Sequence, residues 1–157
     1  MEYIYINRLK VLGEEKGWND IGVSIPEIDK LQQKRGILFP LAYYEFLKLE
    51  GHSSSVIKQG HRFNLLEQDQ QDAQKWLKEY DLENLIKKPF WVIATDGDSE
   101  SFWYFHLDEG DNPAIYRLSC MYYGEVKDKL AFGKVADSFQ AWIEKAIDYF
   151  EEDPENQ

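Results

Sequence analysis

The chain has 157 residues, enough for one domain that buries roughly 70% of its unfolded surface without a metal or a disulfide. Hydrophobic residues make up 43% and charged residues 30%, a globular rather than a disordered balance. The 29 acids against 18 bases leave a net charge of -11, which argues against direct nucleic-acid binding and serves either solubility alone or also fast encounter with basic partners.

Residues 1–23 carry two patterns. Tyr3 and Tyr5 alternate with Ile4 and Ile6 as in a short strand, while Ile6, Leu9 and Leu12 suit a helix equally well. A helix ending near Gly13 to Gly17 is preferred. Ser24, Pro26 and Glu27 then form a capping-box start, with Ile28 and Leu31 on one helical face and Gly36 as the stop. A second helix opens at Pro40, whose fixed φ suits a first turn, and Phe39 before it is pushed out of the α region. Tyr43, Phe46 and Leu47 share its inner face, and Gly51 is placed to end it. Residues 52–62, polar and small, read as a loop or a loosely held hairpin.

The spacing of Ala73, Trp76, Leu77 and Tyr80 predicts a third helix over residues 69–86. Asp69 and Asp72 suit the positive end of its dipole, and Lys87 and Lys88 the negative end. Three aromatic and β-branched runs follow, residues 90–95, 102–107 and 114–118, bounded by Gly, Asp, Asn, Ser and Pro. Their connections are short enough for hairpins. Residues 120–126 supply either another strand or an irregular crossing, and residues 127–133 read as a loop. Phe139, Trp142, Ile143, Ala146, Ile147 and Phe150 predict the last helix, capped by Asp137 with Gln140 three residues on. Residues 151–157 are expected to be a frayed acidic tail.

Few residues carry recognisable chemistry. His52, His61 and His106 lack a metal-ligand spacing, and a structural or surface role is expected for each. Asp96, Gly97, Asp98 and Glu100 resemble the start of a calcium loop but lack its sixth-position Gly and closing Glu, so a hairpin turn is the simpler reading. Phosphate-cradling Gly motifs, a Ser elbow and paired-Cys metal sites are absent. No cofactor and no metal are expected. The single cysteine, Cys120, reads as a small core residue and suits a reducing compartment. The N-terminal residues lack the basic region and apolar run of a signal peptide, and no apolar stretch approaches the roughly 18 residues of a membrane span. A cytoplasmic location is therefore expected.

The order of these features resembles the SUKH superfamily, which includes fungal cell-wall-assembly regulators and many bacterial toxin-immunity proteins. The likeness is carried by the capped helix with Glu27, then Phe39-Pro40, Tyr43, Phe46-Leu47 and Gly51. It continues through Trp91 to Ala94, the acidic Gly turn, Phe102 to Leu107, Ala114 to Tyr116, and Ser138-Phe139 with Trp142-Ile143. It spans about Ser24 to Ile147. The resemblance implies an α+β fold in which helices pack against a mainly antiparallel sheet, agreeing with the single domain of meander and amphipathic helices read from the residues.

The function that the resemblance implies is non-enzymatic: an immunity protein that occludes the basic active site of a protein toxin such as a nuclease. A regulatory or scaffold module of the same family is the alternative, and a carboxylate-dependent hydrolase the third reading. From Pro89 to Tyr116 there is no Lys or Arg but six acids, Asp96, Asp98, Glu100, Asp108, Glu109 and Asp111. These, with Trp103 as an aromatic anchor, are the expected contacts to a basic partner.

Overall fold

Among the described residues four strands form one antiparallel sheet in sequence order: β1 (Phe90–Asp96), β2 (Ser101–His106), β3 (Ile115–Ser119) and β4 (Phe132–Ala136). The computed structural model describes residues 2–57, 60–125 and 131–156. Register sets Trp91 against Phe105, Trp103 against Arg117, and Arg117 against Gly133. The register slips between Val92 and Ala94, and again between Ile115 and Tyr116. Among the described residues five α-helices flank the sheet: α1 (Asn7–Lys16), α2 (Ile25–Arg35), α3 (Leu41–Glu50), α4 (Leu66–Glu79) and α5 (Phe139–Glu152).

Alternation along the strands divides the core. Trp91, Ile93, Phe105 and Ile115 join the larger cluster with Leu9, Ile28, Phe46 and Ile143 from the helices α1, α2, α3 and α5. On the other face Val92, Phe102, Tyr104 and Leu118 meet Ala73, Trp76 and Leu77 of α4. Helices thus cover both sides, which is why β1 reads as an unbroken apolar run rather than an alternating one.

The capping box of α2 is formed as its residues predict. Ser24 Oγ accepts from the Glu27 N–H at 3.4 Å, and Glu27 Oε2 accepts from the Ser24 N–H at 3.0 Å. The first helix also forms, ending at Gly17 in the left-handed region. Pro40 stands just outside α3 with an extended backbone instead of inside its first turn. Gly51 ends α3, but in a right-handed conformation. Its lack of a side chain is needed for space, since a Cβ there would lie 2.6 Å from both the Leu47 carbonyl oxygen and Val23 Cγ2. Gly22 is tighter still, its Cβ position falling 1.8 Å from the Lys48 carbonyl oxygen. Residues 21–23 cross the end of α3 here, and the Val23 N–H donates to the Leu47 carbonyl at 2.8 Å.

Several expectations are corrected. The third predicted helix runs over Leu66–Glu79, not residues 69–86. Asp81 takes a left-handed φ of 56°, and the Leu82 N–H turns back to the Leu77 carbonyl at 2.7 Å. An Asp performs the helix-ending role that Gly usually signals, so Lys87 and Lys88 lie beyond the helix. A strand, β4, occupies part of the expected loop at 127–133. Its sequence, Phe-Gly-Lys-Val-Ala, has little apolar alternation, and pairing with β3 forms it. Of the two readings of residues 120–126, the irregular one holds for 120–124, which are turns, while 126–130 lie outside the described residues. At α5 the cap is Ser138, whose Oγ accepts from the Ala141 N–H at 3.0 Å, and Asp137 instead meets Lys134 at 3.3 Å. Where fraying is expected over residues 151–157, helix persists to Glu152 and a 3-10 turn spans Pro154–Asn156.

Several buried polar groups tie these elements together. Tyr43 is fully buried, with its ring 5.1–5.7 Å from Phe39, His61, Phe105 and Phe139. Its hydroxyl bonds His61 Nε2 at 2.8 Å, and His61 Nδ1 lies 3.0 Å from the Gly51 carbonyl. A carbonyl can only accept, so Nδ1 carries the proton and Nε2 receives the tyrosine's. Burial pushes the His61 pKa down to about 4. Glu45, also fully buried, accepts from the Ile4 and Tyr5 N–H groups and pins the N-terminal segment to α3. Gln70 reaches the outer edge of β1. Its amide oxygen accepts from the Val92 N–H at 2.8 Å, and its amide nitrogen donates to the Val92 carbonyl at 2.8 Å. The side chain replaces a neighbouring strand there. Glu50 at the end of α3 is pushed up to about 9, first by burial and then by the Asp20 carboxylate.

Gly22→Ala should lower stability by roughly 3 kcal/mol or more, because backbone must move. Gly97→Ala, with nothing within 4 Å of its Cβ position, should stay within about 0.5 kcal/mol; urea denaturation of both variants checks the contrast. Gln70→Leu leaves both Val92 polar groups unpaired and should cost about 2 kcal/mol in the same assay. Two groups shape the pH profile. The neutral His61 contributes stability above its ordinary 6.5, lost as pH falls through about 4. The protonated Glu50 contributes stability below its ordinary 4.5, lost as pH rises through about 9. Thermal melts of Glu50→Gln should therefore lose less Tm than the parent between pH 5 and 9.

Candidate protein-binding surface

The meander separates the six acids into two groups. Asp96, Asp98 and Glu100 lie on the β1–β2 connection, and Asp108, Glu109 and Asp111 on the β2–β3 connection. The six residues of β2 stand between them, so the groups are roughly 20 Å apart at opposite ends of the sheet. A single flat contact around one turn would not engage both.

The first turn projects Asp96 and Asp98, whereas Glu100 is half-buried, its Oε2 enclosed without a hydrogen-bond partner. Asp96 Oδ1 accepts from the Asp98 N–H at 3.0 Å, which closes the turn and leaves both side chains exposed. Glu100 adopts a left-handed φ of 47° and its carbonyl accepts from the Cys120 N–H at 3.0 Å. Tyr80, at the end of α4, lies beside Glu100, and its hydroxyl pKa is raised by burial and then by that carboxylate. Among the described residues no Lys or Arg lies within 4 Å of Asp96, Asp98 or Glu100.

The second turn is more engaged with its own fold. Asp108 faces Lys88 at 3.7 Å. Glu109 accepts from the Tyr116 hydroxyl at 3.0 Å and stands 4.0 Å from His106 Nε2. Asp111 keeps an exposed side chain, while its backbone carbonyl accepts from the Ala42 N–H at 2.9 Å and anchors the start of α3.

Trp103 is half-buried on the sheet face that α5 covers. It borders a cleft of about 230 Å³ whose walls include Val56, Val135, Trp142, Lys145 and Tyr149. It is thus set apart from the first acidic turn's outer side chains, not placed among them. Other aromatics were not singled out by their sequence pattern. Tyr122, Tyr123 and Phe132 are all exposed, and Tyr123 packs edge-on against Phe132 at 6.2 Å. The Cys120–Glu100 hydrogen bond holds this aromatic group next to the first acidic turn. Their signal in the sequence is faint: two tyrosines without alternation, followed by Gly124.

Other chemistry finds little support in this geometry. Among the described residues no group of three or more His, Cys, Asp or Glu is gathered to hold a metal ion. Cys120 is buried, and burial with the Glu100 charge pushes its thiol up to about 11, away from thiolate reactivity. A second cleft, between α1 and the end of α3, is bordered by Tyr3, Trp18, Asp20 and Glu50. Neither cleft has Asp96, Asp98 or Glu100 in its walls. Among the described residues no helix is long and apolar enough to cross a membrane.

No curated protein matches the chain. The SMI1 / KNR4 family (SUKH-1) matches it over residues 22–145, from the segment that crosses α3 to the middle of α5. That span holds the capped α2, the Tyr43 core and all four strands, and by it the chain belongs to the SMI1 / KNR4 family (SUKH-1).

Proposed function

We propose that this chain is a non-enzymatic, cytoplasmic immunity protein that binds a basic protein toxin and occludes its active site. The observation that carries the reading is the pairing of family membership with an acidic turn that lacks internal counter-charges and adjoins exposed aromatics. SUKH proteins are often immunity proteins in toxin systems. A toxin that acts on a polyanion, such as a nuclease, needs a basic cleft, and Asp96, Asp98 and Glu100 would be attracted to it. Tyr122, Tyr123 and Phe132 would supply buried apolar contact once the encounter has formed. Asp108, Glu109 and Asp111, at the other end of the sheet, would add to the long-range field rather than to the same contact. Trp103 would join only a partner that reaches around to the cleft beside α5.

Co-expression with any toxin encoded beside this chain's gene, and pull-down from the native host, test the reading. Protection of the cell together with recovery of the toxin supports it. Loss of protection with a folded protein, and recovery of a housekeeping protein instead, would move the assignment to the regulatory branch of the family. Against the identified toxin, Asp96→Lys, Asp98→Lys and Glu100→Lys combined should slow association about tenfold or more at low ionic strength. The difference should shrink as salt screens it. Tyr123→Ala should mainly raise the dissociation rate, by a factor matching about 2 kcal/mol. Stopped-flow or surface-binding kinetics separate the two effects.

A further inference from the structure

Among the described residues β4 is an outer strand of the sheet, and its pairing with β3 has a fixed parity. The Ser119 N–H donates to the Ala131 carbonyl at 2.6 Å, so Ser119 and Ala131 form a hydrogen-bonded pair. In an antiparallel ladder hydrogen-bonded and non-hydrogen-bonded pairs alternate. Leu118 opposite Phe132 and Tyr116 opposite Lys134 are therefore non-hydrogen-bonded pairs, with Arg117 opposite Gly133 bonded between them. Phe132 and Lys134 thus aim both N–H and C=O away from β3, along the border of the sheet. Among the described residues nothing hydrogen-bonds to these groups, and both residues are exposed.

Backbone donors and acceptors spaced along an extended strand match another extended strand. Phe132 and Lys134 share the α4 side of the sheet with Leu118 and Tyr116, but α4 packs over β1, the far strand. Phe132 and Tyr123 are left exposed beside the border, as apolar surface for alternate side chains of an added strand. Register sets Asp96 beside Ser101, Ser101 beside Ser119, and Ser119 beside Ala131. The first acidic turn therefore stands at the same end of the sheet as the start of β4. Three interstrand steps separate them, about 14 Å, the reach of roughly four extended residues. The Lys134 charge is answered within the chain by Asp137 at 3.3 Å. A net charge of -11 opposes a second copy at this border and attracts a basic chain. The register slip that leaves Val135 unmatched bends the strand and keeps the usable stretch short, which also disfavours repeated strand-on-strand growth.

We propose that β4 takes up an extended segment of a basic partner protein as an antiparallel fifth strand, paired through the N–H and C=O of Phe132 and Lys134. The segment's apolar side chains lie against Phe132 and Tyr123, and its basic C-terminal end points towards Asp96 and Asp98. This mode of docking deepens the basic-partner reading and rests on it for the sign of the segment's charge.

The probe is the peptide acetyl-Thr-Val-Thr-Val-Thr-Lys-Lys-Lys-amide, titrated into the whole chain labelled with nitrogen-15. The Phe132 and Lys134 amides should shift saturably and exchange their protons at least about tenfold more slowly. Backbone N-methylation throughout the Thr-Val half should weaken binding about tenfold or more, as should Glu in place of the three lysines. Lys134→Pro deletes an outward N–H that β3 does not use and should weaken binding similarly, whereas Lys134→Gln should leave it unchanged. Undiminished binding of the N-methylated peptide overturns the proposal, as does failure of those two amides to respond. Equal binding of the Glu peptide overturns it too. Dimerisation of the chain alone with the same amides protected would give the border to a second copy and also overturn it. The assay contains no toxin, so failure of the peptide removes this docking mode and leaves the protection assay to decide the toxin reading. Absence of a toxin partner in turn leaves the peptide result standing.

Discussion

The hydrogen bond between the Tyr43 hydroxyl and His61 holds the larger core in its arrangement. Tyr43 comes from α3, His61 from the segment that leaves α3, and Phe105 and Phe139 close on the same ring from the sheet and α5. The imidazole must be neutral to accept the tyrosine proton while donating to the Gly51 carbonyl. Burial enforces that state. One polar chain therefore fixes where α3 ends, how the following segment returns, and which aromatic faces meet. Glycine at positions 22 and 51 is the steric condition for the same junction, because two backbone segments pass at contact distance there.

With the sheet covered by helices on both sides, its broad faces are largely spent on packing. Surface chemistry is left to the turns, the helix ends and the seams. The turns hold acids, and the seam beside α5 holds Lys145 over the Tyr149 ring. The acids of the second turn illustrate a competing use. Glu109 accepts from Tyr116, and the backbone of Asp111 anchors α3, so this turn secures the fold as well as carrying charge.

Local signals in the sequence were strong where one segment determines its own conformation. The α2 capping box, the first three strands and the stripe of α5 are of this kind. They failed where distant pairing decides. Asp81 ends α4 without a glycine, and β4 exists because β3 offers it a ladder. Ser138 rather than Asp137 caps α5, a one-residue difference that composition does not distinguish. Glu45 and Gln70 would pass for surface residues on helical wheels, yet they bond backbone groups 40 and 22 residues away. In the candidate surface the acids and their turns were legible by type and position. That Tyr122 and Tyr123 face solvent, while Trp103 borders a cleft, depends on how α4 and α5 lie across the sheet.

The Gln70 amide at Val92 has a consequence for how this domain can be recognised. An extended peptide that adds itself to a sheet needs free N–H and C=O groups along an outer strand. At β1 a buried pair of such groups is already occupied by the domain's own side chain. Strand addition at that border would first have to displace a helix. A partner approaching from this side must therefore read side chains and shape, and its specificity is open to change by point substitution in a way that backbone pairing is not.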